Sequence, residues 1–174
     1  MASQDEFEEF VAGALPGLLR FGHVLTGDRA AAEDLVQIAL GRSWRAWRLR
    51  RIDNLPAFVR KVMVNRYASW YRRPGFANEV ASASPAGPAL AEDEIHRVDD
   101  RDEVWRALAL LPPRQRAVVI LRYYEDKSEQ EIAAIMGTSA GTVKSQSARA
   151  LRRLAGILED PDPARQPASG APHD

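Results

Sequence analysis

Apolar residues recur every three to four positions along most of this chain, the spacing of helices that bury one face. Phe7, Phe10, Val11 and Leu15 mark a first helix, and Leu18, Leu19, Val24 and Leu25 a second that ends at Gly27. Asp28 is placed to cap a third and longer helix. On it Ala31, Leu35, Ile38, Ala39 and Trp47 are candidates for burial, while Glu33, Asp34 and Gln37 fall on another face. After Arg50-Arg51-Ile52-Asp53, Asn54 can cap a further helix with Pro56 in its first turn, running over 57–72 with Phe58, Val62 and Met63 turned inward. No internal repeat interrupts this pattern.

The strongest local pattern lies over residues 128–151. Ser128 with Glu131 three positions on fits a capping box, in which each side chain satisfies an orphan donor at a helix start. Ile132, Ala133, Ile135 and Met136 then form an apolar stripe. Gly137 stands where a chain leaving a helix needs positive φ, and Ser139 can cap the next helix. On that second helix Val143 and Leu151 can face inward, leaving Thr142, Lys144, Ser145, Gln146 and Arg149 outside. The pattern is a helix-turn-helix, whose second helix enters the major groove of DNA and whose N-terminus attracts phosphate. Short helix pairs around a glycine turn also occur as plain packing units.

Punctuation divides the chain into modules. Residues 74–88 are small, rich in Pro, Gly and Ser and poor in apolar anchors, as a flexible linker is, and the segment from Glu159 onward with Pro161, Pro163, Pro167 and Pro172 reads as a disordered tail. The expected divisions are 1–75, 76–98 as linker, 99–158, and 159–174 as tail. With 174 residues, one or two small domains are expected. No run approaches the roughly 18–20 apolar residues of a membrane span, and the first ten residues are acidic where a signal peptide is basic, so a cytoplasmic protein without membrane insertion is expected. The absence of cysteine excludes disulfides, thiolate zinc sites and cysteine nucleophiles. His23, His96 and His173 lie in separate segments, so no shared metal site is expected.

Charge sharpens the division, although the formal sum is zero. Residues 1–41 carry seven acids and two bases; residues 42–73 carry ten bases (Arg42, Arg45, Arg48, Arg50, Arg51, Arg60, Lys61, Arg66, Arg72, Arg73) against Asp53 alone. Residues 74–105 return to eight acids and two bases, and residues 106–158 to nine bases and four acids. Two basic modules therefore flank an acidic spacer. Clustered arginines gain affinity for nucleic acid by releasing condensed counterions, whereas solubility alone needs fewer charges of one sign.

Several segments together resemble the extracytoplasmic-function (ECF) sigma factors of bacterial RNA polymerase. Ala32-Glu33-Asp34-Leu35-Val36-Gln37 followed by Trp44-Arg45-Ala46-Trp47 resembles region 2.2, and Asn54 to Arg66 through Arg72-Arg73 resembles regions 2.3 and 2.4. Leu108 to Leu121, with Leu111-Pro112-Pro113-Arg114-Gln115-Arg116, then Glu131-Ile132-Ala133 and Gly141-Thr142-Val143-Lys144-Ser145, resembles region 4. Met63-Val64-Asn65-Arg66-Tyr67-Ala68-Ser69-Trp70-Tyr71-Arg72-Arg73 is similar to an actinobacterial subgroup, and the scarcity of lysine beside arginine and alanine suits a GC-rich genome.

The resemblance implies an all-α fold of two small helical domains, a four-helix region 2 and a helix-turn-helix region 4, joined by a flexible linker. It implies an alternative sigma factor, nucleoid-associated through RNA polymerase, whose partners are core polymerase (beta-prime clamp helices and beta flap) and promoter DNA. An anti-sigma factor is a further candidate partner. Glu33, Asp34, Gln37 and Trp44 become candidates for polymerase binding. The family captures the −10 element as single strand, with a base held by a loop whose position falls near Val64, Asn65 and Arg66. An Asn amide suits a base edge there, Arg60, Lys61, Arg66, Arg72 and Arg73 suit phosphates, and Trp70 and Tyr71 are candidates for base stacking or for the core. On the −35 duplex the candidates are Arg122, Ser139, Thr142, Lys144, Ser145, Gln146 and Arg149. The acidic segment 92–103 would lie in the RNA exit path and mimic nucleic acid. With the linker leaving the modules unoriented, the isolated chain should bind DNA poorly.

Two departures matter. Phe58-Val59 replaces the tryptophan-rich run with which primary sigma factors melt promoters, which points to weak melting and stringent promoter choice. Gln146-Ser147 replaces the usual arginine-leucine after Lys-Ser, and glutamine suits adenine where arginine suits guanine. The competing reading is a stand-alone helix-turn-helix repressor or activator with residues 1–73 as a dimerisation or sensing module. No glycine-rich phosphate loop, nucleophile motif or ligand cluster points to an enzyme, a cofactor or a small-molecule substrate.

Overall fold

A computed structural model describes residues 4–49, 51–75 and 98–159. The expected linker, the acidic segment 92–103 and the proline-rich tail fall largely outside them. The described residues form seven α-helices: α1 (Gln4–Thr26), α2 (Arg29–Arg48), α3 (Leu55–Tyr71), α4 (Val98–Ala109), α5 (Pro113–Val119), α6 (Glu129–Met136) and α7 (Ala140–Glu159). A π-helical turn, Ile120–Tyr124, extends α5.

Local chemistry accounts for the helix boundaries. The Asp28 carboxylate accepts from the Ala31 N–H at 2.7 Å and starts α2, and the Asn54 amide oxygen accepts from the Ala57 N–H at 3.0 Å and starts α3. Gly27, at φ 75°, turns the chain between α1 and α2 in the left-handed region that glycine adopts without strain. The first two expected helices run as one, with Pro16 inside α1. Proline removes one ladder hydrogen bond, but Phe7 before it and Leu18, Phe21, Val24 and Leu25 after it are all buried, and their burial on one continuous helix outweighs that loss.

Helices α1, α2 and α3 pack on one another around Leu18, Phe21, Leu25, Leu35, Ala39, Val59, Met63 and Tyr67. Val59, not Phe58 or Val62, is the fully buried partner of Met63; Phe58 and Val62 are only partly covered. In the C-terminal half α4, α5 and α7 meet around Ala107, Leu108, Leu111, Val119, Ala150 and Ile157. Ala150 takes the inward position on α7, while Leu151 is 39% exposed. A shift of one residue turns a helical side chain by about 100°, enough to move it off the buried face.

The two halves are not left unoriented. Helix α3 packs against both α5 and α6, α1 touches the π-helical turn, and a single apolar cluster joins Met63, Val64 and Tyr67 to Ala117, Val118, Leu121, Ile132 and Met136. The two expected helical domains are present, and this seam, which no local sequence pattern announces, orients them.

Candidate nucleic-acid interface

The helix-turn-helix is built as its residues dictate. The Ser128 hydroxyl accepts from the Glu131 N–H at 3.2 Å, and the Glu131 carboxylate accepts from the Ser128 N–H at 2.8 Å, which completes the capping box. The bonds from Ser128 hold the Glu131 carboxyl below its ordinary range, with Lys127 adding a smaller push in the same direction. Gly137 closes α6 at φ 64°, and its N–H reaches back to the Ala133 carbonyl. The Ser139 hydroxyl accepts from the Thr142 N–H at 3.1 Å and lies 2.9 Å from the Thr142 hydroxyl, so it starts α7.

Val143 anchors α7 in the core, and Thr142, Lys144, Ser145 and Arg149 stand exposed on its outer side. Gln146 is half-buried, with its amide oxygen enclosed and without a protein partner. Turning that amide outward therefore breaks no hydrogen bond. Ser139 and Thr142 are partly engaged with each other, and Arg122 is half-buried in an ion pair with Glu129 at 3.2 Å.

The residues expected at the −10 strand lie on α3, and here the structure differs from the sequence reading. Val64, Asn65 and Arg66 sit in the middle of an unbroken helix, not in a loop. Val64 is 0% exposed, buried in the apolar cluster that both modules share. Asn65 is exposed, and its amide oxygen accepts from Arg114 Nη2 at 3.2 Å. Arg60 donates through Nε and Nη2 to the two carboxylate oxygens of Glu125, at 2.6 and 3.1 Å, and stacks 6.0 Å from the Phe21 ring. Lys61 lies along the helix-turn-helix, since a Cβ on Gly137 would meet its Cε and Nζ at 3.4 Å. Arg66 sits 5.6 Å over the Trp70 ring, and Trp70 is itself buried. Arg72 and Arg73 are exposed at the end of α3.

Arg116 is the largest polar side chain of the interior, 1% exposed. Its Nη2 donates to the Val24 carbonyl at 2.7 Å and its Nη1 to the Tyr67 hydroxyl at 3.3 Å. Val24 lies in the last turn of α1, where carbonyls lack helical partners and the helix dipole is negative, so the guanidinium caps α1 from the other module. Burial pushes the Arg116 pKa down and the Tyr67 phenol up, each opposed by the neighbouring group. Neither Arg116 nor Glu125 stood out as a site residue from sequence.

Glu33, Asp34 and Gln37 are exposed on α2, with Glu33 paired to Arg29 at 3.0 Å. Trp44 is half-buried, its ring 5.0 Å from Phe7 with Arg48 5.8 Å above it, so it offers a partner one edge at most.

Residues 10–75 match the Sigma-70 region 2 family and residues 101–154 match Sigma-70, region 4. The chain is 39% identical over 150 residues to the RNA polymerase sigma-E factor of Streptomyces coelicolor, covering 86% of this chain and 84% of that one. It is 35% identical to the ECF RNA polymerase sigma factor SigL of Mycobacterium tuberculosis, covering 82% of this chain and 83% of that one. This chain belongs to the ECF sigma factors. Its structure is similar to that of the sigma factor RpoE from Bartonella quintana, solved in complex with the anti-sigma factor NepR, with a TM-score of 0.65, 28% identity, and coverage of 89% of this chain and 98% of that one. It shares its fold with CnrH, solved with the cytosolic domain of CnrY, at a TM-score of 0.63 and 22% identity.

As an ECF sigma factor the protein is a DNA-binding regulator that directs promoter-specific transcription. Both basic modules of the sequence correspond to the two matched regions, and no described helix of the sigma factor is long and apolar enough to cross a membrane.

Proposed function

We propose that this sigma factor reads its promoter with α7 in the major groove of the −35 element and α3 on the single-stranded −10 element, while α2 docks on core polymerase. The observation that carries the reading is the outer side of α7, where Thr142, Lys144, Ser145 and Arg149 project together from a helix that Ser139 caps and Val143 anchors. Lys144 and Arg149 take phosphates or guanine, Gln146 turns outward to take adenine, and the α7 N-terminus takes a phosphate with Ser139 and Thr142. Arg122 exchanges Glu129 for the DNA backbone. On α3, Asn65 reads a base while Arg60, Lys61, Arg66, Arg72 and Arg73 hold the strand. Val64 serves beneath them as a core residue.

Glu33, Asp34 and Gln37 form the polymerase-facing side of α2, with the edge of Trp44 beside them. The protein acts by binding and not by catalysis, works in the cytoplasm at the nucleoid, and is a candidate for capture by an anti-sigma factor, the kind of partner present in the Bartonella quintana complex. Co-purification with bacterial core polymerase followed by run-off transcription on a genomic promoter library tests the reading. Stable association with new start sites that Asn65→Ala and Lys144→Ala suppress is expected. Binding of a palindromic operator without polymerase, and no association with it, would establish the stand-alone repressor instead.

A further inference from the structure

We infer that Arg66 is a stacking platform for one base of the −10 strand: Trp70 buttresses its guanidinium from inside, and the base lies on the outward face as a third layer. The inference deepens the assignment of α3 to the −10 strand and rests on it. It gives Arg66 a role different from the phosphate contacts of Arg60, Lys61, Arg72 and Arg73.

Position along α3 sets Arg66 apart. Arg60, Asn65 and Tyr67 bond to the C-terminal module. One residue of helix turns a side chain by about 100°, so Arg66 leaves that side and joins Phe58, Val62 and Ser69 at i+4 and i+3 spacings along one flank. All four residues of this flank are half-buried. A strand laid along it meets partly apolar surface with one guanidinium in the middle.

The guanidinium is also held in place. Arg66 Cζ lies 5.6 Å from the centroid of the Trp70 ring, one helical turn further on. Trp70 is 9% exposed and belongs to the core cluster, so the fold fixes its ring. An aromatic face attracts a cation, and a side chain ordered on it has given up rotamer freedom before any strand arrives. The Arg66 Nε is enclosed and without a hydrogen-bond partner. Arg60 is the contrast, because it engages Glu125 through Nε and Nη2, the side-on fork that suits a carboxylate or a phosphate. With Nε shut in, Arg66 lacks that fork. It keeps its Nη groups and the outer face of its plane.

Unstacked bases are held on aromatic rings and on guanidinium planes, so a base over Arg66 completes the order ring, cation, base. Every base has a π face, and such a contact holds a nucleotide without choosing it. The choice falls to the adjacent Asn65, whose amide offers donors and an acceptor to a base edge.

The test is a walk of single abasic sites across the −10 strand of a bubble template, bound by the full chain with core polymerase. At one position the missing base should weaken wild-type binding by about tenfold, the scale of one base stack, and cost the Arg66→Ala holoenzyme nothing further. Arg66→Lys keeps the charge and loses the plane, and it should behave as Arg66→Ala does. Both variants retain the buried anchors Met63 and Trp70 of α3. A loss from Arg66→Ala that is equal at every abasic position, or recovery of wild-type binding in Arg66→Lys, would identify a phosphate contact and overturn the platform. A wild-type holoenzyme indifferent to abasic sites throughout the −10 strand would instead remove the strand assignment of α3 on which the platform rests.

Discussion

Helices α3 and α7 are both rich in groups suited to nucleic acid, yet they meet their surroundings differently. On α7 the candidate readers point away from the protein, and only Gln146 is partly enclosed. On α3 Arg60, Lys61 and Asn65 are engaged by the chain's own second module, and Val64 has passed into the core. The difference teaches that residue chemistry and availability are separate properties. A duplex reader can be displayed permanently because the major groove accepts a rigid helix. A strand reader needs an open surface, and here that surface also holds the two modules together.

The contrast predicts that substitutions along the seam change stability, whereas substitutions on the outer side of α7 change only binding. Arg116→Ala should have the largest effect, a loss of about 2–4 kcal/mol in urea denaturation, because it leaves a cavity and deprives the Val24 carbonyl and Tyr67 hydroxyl of their donor. Gly137→Ala should cost about 1–2 kcal/mol by the same measurement, since its φ of 64° suits glycine. Ser128→Ala should cost about 1 kcal/mol through loss of the α6 cap.

The same cap carries a pH dependence. The folded Glu131 carboxyl titrates below its ordinary range, so its contribution is present above the unfolded carboxylate pKa and lost as pH falls through the lowered folded value. Acid titration monitored by helix content should show this loss in the wild type and less of it in Ser128→Ala. Lys144→Ala should have the smallest effect on stability, within about 0.5 kcal/mol, because the side chain is exposed. It should nevertheless weaken promoter binding and lower the salt slope by about one.

These outcomes also bear on what was legible from sequence. The caps at Asp28, Asn54, Ser128 and Ser139 and the left-handed Gly137 were readable because each depends on residues within three or four positions of one another. The exposed set on α7 followed from helical spacing anchored at Val143. Periodicity misplaced Leu151 by one position, because the actual anchor, Ala150, is small and gives little hydrophobic signal. It also divided α1 into two runs, Phe7 to Leu15 and Leu18 to Leu25, although burial on both sides of Pro16 keeps the helix continuous.

The seam was illegible for a different reason. Arg114 meets Asn65 across 49 positions and Arg116 meets Val24 across 92, so nothing in the local pattern marks them as partners. Val64 illustrates the consequence: placed in a loop by resemblance, it would face a base, but within α3 it turns into the core shared by both modules.

The central claim is that α3 and α7 read separate promoter elements, and selection from a randomised promoter library in polymerase-dependent initiation tests it most directly. Asn65→Ala should relax base preference within the −10 element alone, and Gln146→Ala within the −35 element alone. An unchanged −10 preference in Asn65→Ala, or a changed −10 preference in Gln146→Ala, would contradict the account.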